Sequence, residues 1–149
     1  MSEPILVSAC LLGLLTRYDG VDKTNTGVRD FLDRHNLLPV PICPEQLGGM
    51  PTPRPATEFS CGDGEAILDR VCRLQNRCGD DVTDSFIRGA SQSVGIARLC
   101  GTRKALLKER SPSCGVRQVY RNRKIVPGRG VTAALLAREG LTLLTEEDI

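Results

Sequence analysis

Four short apolar runs separated by segments of helical periodicity are the feature that most constrains how this 149-residue chain can fold. The runs have the length of buried strands and cover residues 5–9, 37–42, 104–107 and 141–144. The helical patterns between them cover residues 26–34, 65–78, 82–100 and 131–138. Strands that alternate with helices favour a mostly parallel sheet flanked by helices. We therefore predict an α/β fold, with a single Rossmann-like domain over residues 1–149.

Two local patterns refine this expectation. Pro39 and Pro41 lie within the second apolar run, and because proline cannot donate to a β-ladder they place that strand at an edge. Residues 119–125 resemble a hairpin with its turn near Asn122.

Charge and composition do not call for a polyanionic partner. The net charge is only +2, aromatic residues make up 3% of the chain and tryptophan is absent, so few rings are available to stack on nucleic acid. One stretch, residues 111–138, contains five clustered cations and no acidic residue; these cations are Arg117, Arg121, Arg123, Lys124 and Arg129. This stretch is either a solvated rim or an edge that faces phosphate.

Cysteine usage points to metal binding or catalysis. The N-terminal residues lack a basic region and a long apolar run, so we expect no signal peptide, no membrane span and a cytoplasmic protein. In reducing cytosol the seven cysteines are expected to stay free of disulfides. Metal binding or catalysis is therefore their expected role.

Cys10, Cys43 and Cys114 each follow a predicted strand, directly or after a short turn. Loops that leave the carboxyl ends of parallel strands converge on one crevice, so the three thiols are expected to lie together. The alternative is that they are unrelated core residues. Three thiolates would leave one position of an iron–sulfur cluster open, and all-sulfur ligation favours such a cluster, although a catalytic zinc ion also fits.

The other four cysteines have different settings. Cys72 and Cys100 fall at apolar positions of predicted helices and are expected in the core, whereas Cys78 ends a helix and Cys61 lies in a polar loop. No CxxC pair is present, so any ligand set must come from distant segments.

Polar residues beside these cysteines are candidates for proton transfer. Glu45 stands two residues after Cys43, behind Pro44, and a carboxylate in an apolar pocket has a raised pKa that suits a general base. The alternative is an exposed glutamate that begins a helix or turn. Ser111 and Ser113 precede Cys114 and could donate a proton or bind a polar substrate, or could simply serve the turn.

Weaker signals come from isolated residues. His35, the only histidine, is expected at the surface. Arg54 lies in a stiff proline-rich loop and could bind a carboxylate or cover the pocket, and Gly128-Arg-Gly130 before a helix could cradle an anion.

Taken together, seven motifs resemble the thiouracil desulfidase family, one of which is Gly79-Asp-Asp-Val-Thr83. The other six are Ser8-Ala-Cys-Leu-Leu-Gly13, Arg17-Tyr-Asp-Gly20, Cys43-Pro-Glu45, the loop at residues 49–54, Leu107-Lys-Glu-Arg-Ser-Pro-Ser-Cys-Gly115 and Gly128-Arg-Gly-Val131. The resemblance extends over nearly the whole chain.

The resemblance implies a [4Fe-4S] cluster on Cys10, Cys43 and Cys114 and hydrolysis of 2-thiouracil to uracil and hydrogen sulfide. For that reaction Glu45 is expected to remove a proton from the attacking water, and Ser111 or a nearby donor to protonate the departing side, while Ser113 is the candidate for substrate binding. A small thiolated base is the expected partner of a monomer or homodimer. Two other readings stay open: a non-catalytic iron–sulfur carrier or sensor, and desulfidation of thiolated transfer RNA.

Overall fold

A four-stranded parallel sheet organises the computed structural model, which describes residues 2–149. Its strands are β1 (Glu3–Ser8), β2 (Leu37–Ile42), β3 (Lys104–Leu107) and β6 (Thr142–Thr145), in the spatial order β2-β1-β3-β6. All three pairings are parallel. The predicted α/β fold with a parallel sheet is confirmed, and β2, which contains both prolines, lies at an edge as expected.

The helices pack on both faces of this sheet. They are α1 (Thr26–Arg34), α2 (Pro44–Leu47), α3 (Gly64–Leu68), α4 (Thr83–Cys100) and α5 (Val131–Arg138). A strand directs successive side chains to opposite faces. Accordingly, Ile5 and Val7 of β1 pack with Val28 of α1, whereas Leu6 packs with residues of α4 and α5.

An antiparallel hairpin stands apart from the main sheet. It pairs β4 (Gln118–Arg121) with β5 (Lys124–Pro127). Asn122 and Arg123 in its turn have φ values of 50° and 67°, as a two-residue type I′ turn requires. The predicted hairpin is confirmed with its turn at the expected residue.

The predicted helix at residues 65–78 is largely wrong. Asp63 caps α3 by accepting the Glu65 N–H, but the helix ends at Leu68. Arg70 has a φ of 58°, a left-handed conformation that a continuing α-helix cannot include. The chain from there to α4 consists of turns and isolated bridges, because its polar residues satisfy local backbone groups instead of extending the helix.

Three expectations about cysteines are overturned. Cys61 and Cys72 form a disulfide, contrary to the expectation that all seven cysteines are free. Cys72 is buried but lies in the loop after α3, not on a helix. Cys100 is exposed, because it occupies the last turn of α4, beyond the part of that helix that packs on the core. Cys78 is also exposed.

His35 caps the end of α1 and is exposed, as expected. Among residues 2–149, no helix has both the length and the apolar character needed to cross a bilayer.

Candidate active site

The carboxyl ends of three neighbouring strands meet at one edge of the sheet. Ser8 at the end of β1 is in register with Ile42 at the end of β2, and Val7 is in register with Leu106 of β3. The Lys108 N–H donates to Ser8 Oγ at 2.9 Å and ties the exit of β3 to the exit of β1. The loops that leave these strands therefore begin side by side.

These loops bring the three predicted cysteine ligands into one cavity of about 360 Å³. Cys10 lies in the 3₁₀ turn after β1, Cys43 caps α2 after β2, and Cys114 lies on the loop between β3 and β4. Cys10 and Cys43 are half-buried and Cys114 is 4% exposed. Residues more than one hundred positions apart in sequence thus contribute thiols to the same wall.

Burial disfavours the charged form of two of these thiols. Desolvation raises the pKa of Cys10 to about 11; nearby Lys108 opposes this shift and a Cys43 thiolate adds to it. Desolvation also raises the pKa of Cys114, against a hydrogen bond with Ser8, and the other two thiolates raise it further. Thiolates that repel one another in a buried cavity need a cationic centre to stabilise them.

Glu45 lies in the first turn of α2, where Pro44 stands at the start of the helix, and its side chain lines the same cavity. Burial raises the pKa of Glu45 above its usual range, and the nearby Arg54 guanidinium opposes that shift. The side chain of Glu45 is 15% exposed, so the alternative of an exposed glutamate does not hold.

Arg54 is the carboxylate partner of Glu45, one of the two roles expected for it. Its Nη2 lies 2.7 Å from Glu45 Oε2 and also donates to the Thr16 carbonyl at 2.9 Å. The Cys43 thiol approaches the same carbonyl, with Sγ 3.6 Å from the oxygen. Arg54 Nη1 donates to Thr52 Oγ1 at 2.8 Å, which fixes the guanidinium from its other side. The acid, the arginine and one cysteine therefore share a connected set of contacts.

Ser111 also lines the cavity, and its oxygen is an acceptor within its own loop. Ser111 Oγ accepts the N–H groups of Ser113 and Cys114, each at 3.1 Å. These two bonds occupy the oxygen lone pairs, so the hydroxyl proton is left for donation.

Ser113 does not line the cavity with the other predicted residues. Its side chain is 1% exposed, and within residues 2–149 its Oγ has no hydrogen-bond partner. Its contact with a substrate stays a prediction.

The amides of Gly128-Arg-Gly130 and of the start of α5 are engaged within the protein, and the Arg129 N–H donates to the Asp63 carboxylate at 3.0 Å. The N–H groups of Gly130, Val131 and Ala133 donate to the carbonyls of Gly115, Pro112 and Ser113, at 2.8, 2.9 and 3.0 Å. The amides at the start of α5 are therefore engaged by the loop that carries Cys114.

Sequence reasoning assigned no role to Lys108 or Glu109, which follow β3 and line the cavity. Lys108 Nζ pairs with Glu146 at 2.8 Å. Their position directly after a buried strand, the same signal that identified the cysteines, could have marked both residues.

Similarity to known proteins agrees with this geometry. A family model described as 2-thiouracil desulfurase matches residues 5–148. The uncharacterized protein YbbK of Bacillus subtilis (strain 168) is 36% identical over 148 residues, which is 97% of this chain and 97% of that protein. A solved structure of the [4Fe-4S]-dependent thiouracil desulfidase TudS is 39% identical, with a TM-score of 0.84 over 99% of this chain and 93% of that one. The family match includes every strand end that contributes to the cavity, and the chain belongs to the 2-thiouracil desulfurase family.

Proposed function

We propose that this protein is an iron–sulfur-dependent desulfidase that hydrolyses the thiocarbonyl of 2-thiouracil or a related thiolated base. The observation that carries the proposal is the meeting of three thiols with the Glu45–Arg54 pair in one cavity. In the overall reaction, water replaces the sulfur of a C=S group, and the products are a C=O group and hydrogen sulfide. No electrons are gained or lost.

The donor set fits a cluster better than a single ion. The three candidate ligands Cys10, Cys43 and Cys114 are all thiols, the ligand type that iron–sulfur clusters prefer. Within residues 2–149, no group of three histidine, cysteine, aspartate or glutamate side chains is gathered closely enough to hold one metal ion. A cluster places each thiolate on a different iron, so its ligands stand further apart than those of a zinc ion.

A [4Fe-4S] cluster on Cys10, Cys43 and Cys114 would supply a Lewis-acidic, sulfur-binding iron that lacks a fourth protein thiolate. The residues around it would carry out the proton transfers. Glu45 is the base that accepts a proton from the attacking water, and Arg54 holds its carboxylate in one orientation. Ser111 is the donor on the departing side, because its hydroxyl proton is not used within the loop.

Acidic partners of two cations that line the cavity, and of one cation of the basic stretch, favour a small substrate over thiolated RNA. Arg117 of the basic stretch pairs with Asp148, and Arg110 at the cavity pairs with Glu147. Arg17 at the cavity pairs with Asp19. These acids reduce the positive field that a polyanion would require.

Anaerobic reconstitution with iron and sulfide tests the proposal. The loaded protein should convert 2-thiouracil into equal amounts of uracil and hydrogen sulfide. Cys10→Ser, Cys43→Ser and Cys114→Ser should fail to retain the cluster, whereas Cys100→Ser, at an exposed position, should load normally. A fully loaded protein that forms no uracil from 2-thiouracil or other thiolated bases would refute the proposal.

Glu45→Gln separates an enzyme from a carrier or sensor. The variant should keep its iron and sulfide content and its absorption spectrum, but lose uracil formation by about 10²-fold or more, the usual contribution of a general base. A non-catalytic carrier would have no such activity to lose. Metal and sulfide analysis of the same samples distinguishes a zinc hydrolase, which would contain no sulfide.

A further inference from the structure

Glu109 is a buried carboxylate that the proposed chemistry does not use. It follows β3 directly, and its side chain is 1% exposed. The nearest cation, Arg117, has its Nη2 4.0 Å from Oε2, at the limit of an ion pair. A carboxylate removed from water to this extent needs strong hydrogen bonds in compensation.

One oxygen of Glu109 receives all of this compensation. Its Oε1 accepts the backbone N–H groups of Val116, Arg117 and Gln118 at 2.8, 3.0 and 3.1 Å. It also accepts the Arg110 N–H at 3.3 Å. Oε2 has no hydrogen-bond partner among residues 2–149.

The four amides come from both sides of Cys114. Arg110 begins the loop, and Val116, Arg117 and Gln118 end it, so a single oxygen closes a ring of backbone around the cysteine. Arg110 has a φ of 66°, a left-handed conformation that costs energy for a residue with a side chain. The hydrogen bonds to Glu109 hold the chain in that conformation.

The hydrogen-bond acceptors of the same loop, its backbone carbonyls, are satisfied by amides at the start of α5. The carbonyls of Pro112, Ser113 and Gly115 accept the amides at the start of that helix. Gly130 lies so close to the Ser113–Cys114 peptide that a Cβ at this position would collide with its atoms. The loop's donors thus converge on one carboxylate and its acceptors on one helix terminus.

We infer that Glu109 is a positioning residue, which shapes the loop around Cys114 before any cofactor is bound. Its relevance to catalysis rests on the proposed function, because Cys114 matters there as a cluster ligand. The role depends on the reach of Oε1 to the four amides. The second oxygen and the net charge contribute little to it.

Three substitutions separate reach from charge. Glu109→Gln retains an oxygen at the same distance from the backbone and replaces only the oxygen that makes no hydrogen bond. Glu109→Asp retains the charge but is one methylene shorter, so its oxygen cannot reach all four amides. Glu109→Ala removes the acceptor. Glu139→Gln, which changes an exposed glutamate paired with Arg98, is the matched control.

Alkylation of individual thiols in the cluster-free protein measures the loop directly. Each variant is treated anaerobically with iodoacetamide, and the modification rate of every cysteine is followed by peptide mass spectrometry. Cys100 is exposed and serves as the internal standard. Cys10 and Cys43 line the same cavity and report on general loosening.

The expected result is specific to Cys114. Opening of the loop should raise the alkylation rate of Cys114 about tenfold or more in Glu109→Ala and Glu109→Asp, since local opening exposes a buried group. In Glu109→Gln and Glu139→Gln the rate should stay within about threefold of wild type, because the acceptor remains in place. Cys10 and Cys43 should change little in any variant.

Three outcomes would overturn the inference. The first is an unchanged Cys114 alkylation rate in a folded Glu109→Asp or Glu109→Ala variant. The second is a rise of that rate in Glu109→Gln equal to the rise in Glu109→Ala, which would indicate an effect of charge. The third is an equal rise at Cys10, Cys43 and Cys114, which would indicate a general effect on folding. Because the protein is free of cluster and substrate, failure of desulfidase activity would leave this result intact.

Discussion

Arg54 and Glu45 form a largely buried ion pair in which Nη2 lies 2.7 Å from Oε2 and the side chains are 4% and 15% exposed. The guanidinium is held from three directions, by the carboxylate, the Thr16 carbonyl and the Thr52 hydroxyl. A carboxylate paired with so restrained a cation has one preferred orientation. The pair thus gives the proposed base both its position and a partner for its charge.

Loss of Arg54 should leave this carboxylate buried without a cation. We expect Arg54→Met to destabilise the cluster-free protein by about 3 kcal/mol, because removing one member of a buried ion pair leaves the other charge buried without a counter-ion. Arg54→Lys keeps the charge but loses the fork that reaches Glu45 and Thr16 together, so a smaller loss is expected. Urea unfolding measures both variants.

The double variant Arg54→Met with Glu45→Gln is the control for this prediction. It contains no stranded charge and should be more stable than Arg54→Met alone. Equal stability of the single and double variants would show that the ion pair is not what holds this loop.

Gly89 determines how closely α2 approaches α4. A Cβ at Gly89 would overlap the carbonyl of Pro44, which lies between Cys43 and Glu45. We expect Gly89→Ala to displace α2 and to destabilise the protein by about 2 kcal/mol, the typical cost of overpacking. Cluster retention should fall as well, because Cys43 caps the displaced helix.

Gly95 provides a matched control on the same helix. A Cβ there meets nothing within 4 Å. Gly95→Ala should therefore stabilise α4 by about 0.5–1 kcal/mol, through its better helix propensity, and should leave cluster loading unchanged. Thermal unfolding and iron content of the two variants can be compared directly. Similar behaviour of both would mean that the close contact at Gly89 is unimportant.

Much of the fold was predictable because strand and helix periodicities are local. The strands at residues 37–42 and 104–107 have the predicted bounds, and the cavity follows from three such strands ending at one edge. The ion pair of Glu45 with Arg54 was harder to predict from the sequence. It depends on how a proline-rich loop folds back, and sequence spacing alone does not specify that geometry.

The errors share a physical origin in long-range context. Cys100 continues the apolar spacing of α4, but the helix extends beyond the elements it packs against, so the last turn is exposed. Arg70 gives no sequence signal of its left-handed conformation, which ends the predicted helix. Whether Cys61 and Cys72 pair depends on the approach of two loops, which a rule based on redox compartment cannot represent.

The acidic C-terminus should make stability depend on pH. Glu147 pairs with Arg110 and Asp148 with Arg117, and hydrogen bonds from these arginines lower the pKa of both carboxyl groups. A group whose pKa is lower in the folded state stabilises the protein above its unfolded pKa, about 4, and this contribution disappears as the pH falls through the folded value.

The double variant Glu147→Gln with Asp148→Asn tests this dependence. Its melting temperature should lie a few degrees below that of wild type at neutral pH, and this difference should shrink as the pH falls below about 4 and the wild-type carboxyls become protonated. Asp33→Asn changes an exposed acid on α1, and its melting temperature should vary with pH in parallel with that of wild type. A constant offset between wild type and the double variant across the whole pH range would contradict the prediction.

The disulfide between Cys61 and Cys72 should stabilise the segment that leads from the cavity wall to α4. The bond closes a loop with a sequence separation of 11, and constraint of the unfolded chain by a loop of this size is worth about 3 kcal/mol. Cys61→Ser with Cys72→Ala should lower the urea midpoint by the corresponding amount under oxidising conditions. Added reductant should lower the urea midpoint of wild type to near that of the variant, and should leave the midpoint of the variant unchanged.

Mass spectrometry of alkylated, unreduced protein should count five free thiols. Seven alkylated thiols before reduction would show that the bond does not form in solution.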